Sequence, residues 1–176
     1  NRTTYLSWAA SVALLLGVGY QYNQLTTSSN TINAIELEKS NLKQSVVELE
    51  LKNKQTATAL NIVRDTKNTV VSLGGQTVAP ESFAKIYWNK ETETVYVDAT
   101  GLPEPPEGKV YQIWSLKLSP TLTPTSIGLL ENFKANDQKL FAVSGTKDAE
   151  AFGITLEPAG GSKSPTMEQL YTLGKV

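Results

Sequence analysis

Three patterns of hydrophobic and polar positions follow one another along the chain. Residues 6–22, LSWAASVALLLGVGYQY, are apolar all round, and no charge occurs between Arg2 and Glu36. That length matches the ~17–25 residues that cross a bilayer as a helix. Trp8 stands near one end and Tyr20 and Tyr22 near the other, where amphipathic rings favour the membrane interface. Residues 1–25 are therefore predicted to be a transmembrane helix. A removable signal peptide would end in small residues, which Gln21-Tyr22-Asn23-Gln24 does not supply. Arg2 points to a cytoplasmic N-terminal side under the positive-inside rule.

The second pattern has a period of seven. Ile35, Leu42, Leu49, Thr56 and Val63 form one series, and Ile32, Lys39, Val46, Asn53 and Leu60 form another, three residues ahead. With the Ile32 series at a and the Ile35 series at d, this is a heptad repeat free of proline and glycine. Residues 26–68 are thus predicted to be a coiled-coil stalk, its ~32 repeat residues reaching ~48 Å at 1.5 Å per residue. Leucine at d and β-branched residues at a favour a parallel dimer, and Asn53 at a pairs with its twin to fix register. The expected dimer seam is Ile32, Ile35, Leu42, Val46, Leu49, Asn53, Leu60 and Val63. Leu37 and Leu51 lie off that seam and would instead serve a helix packed on its own domain.

The third pattern, residues 69–176, consists of short runs rich in Val, Ile, Tyr, Trp and Phe between Gly, Pro, Asn and Asp. Such runs are strands. We expect them at 69–73, 83–88, 94–98, 110–116, 126–131, 139–144, 151–156 and 170–175, with a hairpin through 87–95. Eight short strands with regular turns predict a sandwich or a barrel, of which we expect an antiparallel β-sandwich, and roughly 105 residues suffice for one core.

Composition narrows the chemistry. The 176 residues include no cysteine and no histidine and carry a net charge of −1. Cys/His nucleophiles, the Ser-His-Asp triad and Cys/His zinc sites are excluded, as is a disulfide framework. Near-neutral charge gives no electrostatic footprint for direct nucleic-acid binding. The chain starts with Asn1, so we expect a piece of a longer protein.

Residues 154–166, ITLEPAGGSKSPT, superficially suggest a phosphate-binding loop. That loop needs glycine directly before Lys-Ser and a helix directly after it, whereas Ser162 precedes Lys163 and Pro165 favours an extended chain. Ser82-Phe83-Ala84-Lys85 and Ser144-Gly145-Thr146-Lys147 match Ser-x-x-Lys, but both fall at strand ends, and that chemistry needs a helical turn. Glu91, Glu93, Glu104 and Glu107 read as solvated turn residues. Glu157, which closes an apolar strand, would accept N–H groups of Gly160, Gly161 or Ser162. The expected structural loop is Glu157, Pro158, Gly160, Gly161, Ser162 and Pro165. No catalytic residue, cofactor or metal is expected. Tyr87, Trp88, Tyr111 and Trp114 lie within strands and are expected in the core, the alternative being an aromatic platform for a glycan or peptide.

The segments GLPEPPEGKVYQIWSL (101–116), SIGLLENF (126–133) and AFGITLEPAGGSKSPT (151–166) together resemble the C-terminal domain of the anti-sigma-K factor family, RskA type. The likeness rests on a Gly-Leu-Pro turn, a Pro-x-Gly turn, a Tyr-Gln-Leu-Trp-like strand and a Thr-Leu-Glu-Pro-x-Gly-Gly-Ser-x-x-Pro-Thr loop. It covers residues 77–176. It implies a regulator in the bacterial inner membrane, single-pass, with this domain periplasmic. It also implies a non-catalytic sensing or scaffold role. The sigma factor would be held by a cytoplasmic N-terminal region absent from this sequence. Stepwise proteolysis makes a regulatory protease an expected further partner. The alternatives are an envelope scaffold or a ligand-binding β-sandwich.

Overall fold

The computed structural model describes the backbone of residues 2–176 and the side chains of residues 14–25 and 32–176. The chain divides into two compact units, 1–54 and 55–176. A single helix, α1 (Arg2–Arg64), runs through the first and enters the second. Leu6–Ala13, nearly half of the predicted membrane segment, lie outside the described side chains. Among the described residues no helix is long and apolar enough to cross a membrane. The described part of that segment is helical, and Leu14, Leu15, Leu16, Val18, Tyr20 and Tyr22 are all exposed. In the heptad region Ile32, Ile35, Leu42, Val46, Leu49, Leu60 and Val63 are exposed too, as are Leu37 and Leu51.

The second unit opens with the end of α1. Asn61 O accepts the Asp65 amide, and the Asn68 side chain donates to Ile62 O at 2.8 Å, occupying carbonyls that a helix end leaves free. Asp65 Oδ1 accepts the Lys67 amide and turns the chain into the first strand. Thr56 Oγ1 accepts a hydrogen bond from Gln138, which ties the last turns of the helix to the strands.

Eight strands follow: β1 (Asn68–Gly75), β2 (Phe83–Asn89), β3 (Thr94–Gly101), β4 (Lys109–Lys117), β5 (Thr123–Leu129), β6 (Leu140–Val143), β7 (Ala151–Pro158) and β8 (Leu170–Lys175). Each corresponds to one of the runs read from the sequence. The hairpin is also where expected. Asn89 Oδ1 accepts the amides of Glu91 and Thr92, the short Asx-type closure that suits asparagine to turns.

The layering differs from a two-sheet sandwich. All eight strands join in one antiparallel sheet, in the order β5-β4-β7-β8-β1-β2-β3-β6. Its outer strands meet where the Ser144 amide donates to Ile127 O at 2.7 Å, so the sheet rolls into a near-barrel. The alternation of apolar positions is the same for one face of a sandwich and the inside of a barrel. Only the pairing of strands far apart in sequence separates the two.

The inward residues form one core, including Leu73, Ile86, Trp88, Val97, Tyr111, Ile113, Phe152 and Ile154. Trp88 meets Phe152 edge-on at 5.6 Å, and Phe133 lies between Tyr111 and Phe141. Tyr87, Trp88, Tyr111 and Trp114 are all buried, so they pack rather than form an exposed platform. Among the described residues one inward polar atom is isolated: Thr172 Oγ1 is buried with no hydrogen-bond partner. Thr172→Val keeps the shape and removes an unpaired hydroxyl. It should therefore leave stability unchanged or raise it, by up to ~1 kcal/mol, in urea unfolding of residues 55–176.

Candidate functional site

β4 and β7 are covered on both faces. Their inward side chains fill the core, and their outward ones, Gln112 and Trp114 from β4 and Thr155 and Glu157 from β7, are buried as well. The cover over Gln112 and Glu157 is the segment after β7, which folds back over the barrel wall. Its route is set at once by a tight turn in which the Gly161 amide donates to Pro158 O at 2.8 Å. Gly160 and Gly161 adopt φ values of 91° and 79°, a region costly for residues with a β-carbon. At Gly161 there is a second constraint, because a β-carbon would sit 2.9 Å from Gln112 Oε1 and 2.9 Å from a Leu129 methyl.

Glu157 anchors this cover and is fully buried. Its Oε1 accepts the Thr155 hydroxyl at 2.6 Å and the Thr166 amide at 2.8 Å. Its Oε2 accepts the hydroxyls of Ser162 and Thr166, each at 2.7 Å. Four donors thus surround one carboxylate, at the short distances of charge-assisted bonds. Burial pushes the carboxyl pKa up, but the bonds from Thr155, Thr166 and Ser162 outweigh it, so the group sits below the ordinary glutamate value.

The donors differ from those read from the sequence. Gly161 N serves the Pro158 turn, and Ser162 N goes to Gln112 Oε1 at 2.7 Å rather than to Glu157. Gln112 completes the bridge by donating to Ser162 O at 3.0 Å and to Ser126 Oγ at 2.7 Å. Trp114 Nε1 donates to Thr155 Oγ1 at 2.8 Å, so a relay of donors runs from Trp114 through Thr155 to Glu157. Tyr111, the inward neighbour, donates to Pro103 O at 3.0 Å and so ties β4 to the Gly-Leu-Pro turn. Burial raises its phenol pKa far above the usual value, with Tyr171 adding to the effect.

Of the expected loop residues, Glu157, Pro158, Gly161 and Ser162 meet in this closure. Gly160 shapes the turn, the space where a β-carbon would lie being open, and Pro165 lines a neighbouring apolar groove. Sequence reasoning missed Gln112, Thr155, Thr166 and Ser126. The available signal was a polar residue set between apolar ones, as in Tyr111-Gln112-Ile113 and Ile154-Thr155-Leu156. Neither Ser-x-x-Lys match forms a helical turn. Ser82 precedes β2, and Ser144 follows β6 with Lys147 held 3.4 Å from Glu93. Among the described residues no acidic cluster is suited to a metal ion.

Fold and site define an antiparallel β-barrel module whose covering loop is fastened by a buried carboxylate. The chain belongs to the family described as "Anti-sigma-K factor rskA, C-terminal", whose model matches residues 6–170. A curated protein of Streptomyces griseus, described as "Uncharacterized protein in phr 5'region", is 43% identical over 70 residues, which are 40% of this chain and 28% of that protein. No solved structure is significantly similar to this chain.

The site generates two predictions. Glu157→Gln replaces two acceptor oxygens by one and sets an amide NH2 among donors. It should lower stability by about 1–3 kcal/mol, whereas Lys163→Ala, on the exposed tip, should stay within ~0.5 kcal/mol. Urea unfolding of the two variants compares them.

The second prediction concerns pH. The folded-state pKa of Glu157 is depressed, so its stabilisation is complete above the unfolded value of ~4.3 and is lost as pH falls through the folded value. The wild type should therefore lose more stability between pH 5 and pH 3 than Glu157→Gln does. Thermal melts across that range measure the difference.

Proposed function

We propose that this chain is the membrane and periplasmic portion of an anti-sigma factor controlling an extracytoplasmic-function sigma factor. The observation that carries the reading is the family match over 6–170, which spans the predicted membrane segment, the stalk and the barrel. The sigma factor is bound by a cytoplasmic region outside this sequence. The barrel serves as a non-catalytic sensing or scaffold domain, and a regulatory protease controls release. Several features support this assignment. An uncharged apolar run precedes the stalk, its described residues lie exposed on a helix, and the buried carboxylate is fully occupied by structural donors. In the parent protein, deleting residues 55–176 should change transcription from a promoter of the cognate sigma factor by several-fold, while leaving the protein in the membrane fraction. Unchanged transcription would remove the regulatory role of the barrel.

The same reading makes the stalk a homodimer. Its seam, Ile32, Ile35, Leu42, Val46, Leu49, Asn53, Leu60 and Val63, leaves apolar side chains exposed in a single chain, and a second copy would cover them. Residues 30–176 should sediment as a dimer at tens of micromolar. Asn53→Leu should raise its melting temperature and broaden the range of oligomers, since an asparagine at a sets register at a cost in stability. A monomeric wild type would contradict the assignment.

A further inference from the structure

Beside the loop closure, on the outer wall of the barrel, lies an apolar groove of about 180 Å³. Trp114 and Gly153 form its base, Leu170 and Leu173 one wall, and Leu118, Leu122, Pro124 and Met167 the rim. Leu122 and Met167 are more than half exposed, and Leu118 is 39% exposed. The base is hollow because Gly153 has no side chain, and a β-carbon there would reach ordinary contact with Leu170 and Leu173, each at 3.5 Å. The remaining lining residue that carries charge is Lys175, and no carboxylate forms an ion pair with it among the described residues. The nearby lysine, Lys117, is already engaged by Asp148 at 3.6 Å.

We propose that this groove binds the tail of a monoacyl carboxylate, with the carboxylate on Lys175. Three observations select that chemistry. The volume is below the ~300 Å³ of an ordinary small-molecule site, so it suits one hydrocarbon tail of several carbons. The wall offers no hydrogen-bonding group. The amides of Leu118 and Ser119 at the rim are both taken by Glu150, and the one polar group at the base, the Thr155 hydroxyl, is committed to Trp114 and Glu157. A peptide backbone entering here would leave its polar groups unpaired, whereas a hydrocarbon chain loses nothing on leaving water. Lys175 supplies a positive charge without an ion pair among the described residues, while the Glu150 carboxylate at the rim is held by the Leu118 and Ser119 amides, so an anionic head is favoured over a neutral or cationic one. Met167 at the rim adapts readily to different tail shapes. Occupancy would press on Trp114 and Pro165, and Trp114 is hydrogen-bonded through Thr155 to the Glu157 closure. The ligand would therefore bear on the loop that fastens the barrel wall.

The test uses the full chain in lipid nanodiscs and a decanoate carrying a diazirine near its tail end. After photolysis, labelled peptides are identified by mass spectrometry. The expected result is labelling of peptides containing residues 118–124 and 167–175. Excess decanoate should reduce it at least five-fold, while decylamine, with the same tail and the opposite charge, should not. Lys175→Glu and Leu122→Asp, both at exposed positions, should each reduce groove labelling at least five-fold with an unchanged circular dichroism spectrum. Labelling confined to residues 1–25 would overturn the proposal. So would equal competition by decylamine, or stronger competition by an acetylated tetrapeptide ending in leucine, which would mark the groove as a peptide site. Undiminished labelling in both variants would also overturn it.

Discussion

The outer wall of this barrel depends on keeping one fully buried carboxylate charged. An isolated buried carboxylate costs several kcal/mol, and the group would ordinarily take up a proton. Glu157 avoids this because four donors converge on it, three of them hydroxyls. The arrangement holds only if the segment after β7 returns to place Ser162 and Thr166 over the strand. The loop conformation and the charge of Glu157 therefore support each other. This explains why two successive glycines with positive φ are tolerated in a loop that is otherwise fixed.

The closure also accounts for the character of β4. A strand with one face in the core and the other in water would alternate, yet Val110 through Ser115 are buried without a break. Each outward side chain of the Tyr-Gln-Ile-Trp stretch has its own task. Gln112 clamps the backbone of Ser162 with both ends of its amide, and Trp114 orients the Thr155 hydroxyl toward Glu157. The inward Tyr111 and Ile113 are core residues, with Tyr111 reaching Pro103. The segments that carry the family resemblance thus meet around β4, brought together from β4, β5, β7 and the loops beside them by side-chain hydrogen bonds.

α1 enters this unit as an integral part of it. Gln138 binds Thr56, and Asn68 caps Ile62, so the last turns of the helix are attached to the strands by side-chain bonds at both ends. Thr56 is a d position of the heptad series, and here its hydroxyl serves the barrel. The last turns of α1 thus belong to the same compact unit as the barrel.

The sequence determined the local elements. Alternating and β-branched runs between turn residues marked all eight strands, because strand formation follows from short-range pattern and turn chemistry. The heptad spacing marked a helix, found without interruption through Arg64. Glu157 drew attention because a charged residue closing an apolar strand demands partners. What the tertiary structure decided is which distant groups meet. Sandwich and barrel share the same inward pattern, and the pairing of β1 with β8 together with the link between β5 and β6 separates them. The donors to Glu157 were likewise out of reach of local reasoning. Nearby amides were the natural expectation, but the turn at Pro158 consumes Gly161 N, and Gln112, 50 residues away in the chain, captures Ser162 N. Glu157 is left to the hydroxyls and to Thr166, because a buried polar group takes the partners that the fold brings within reach.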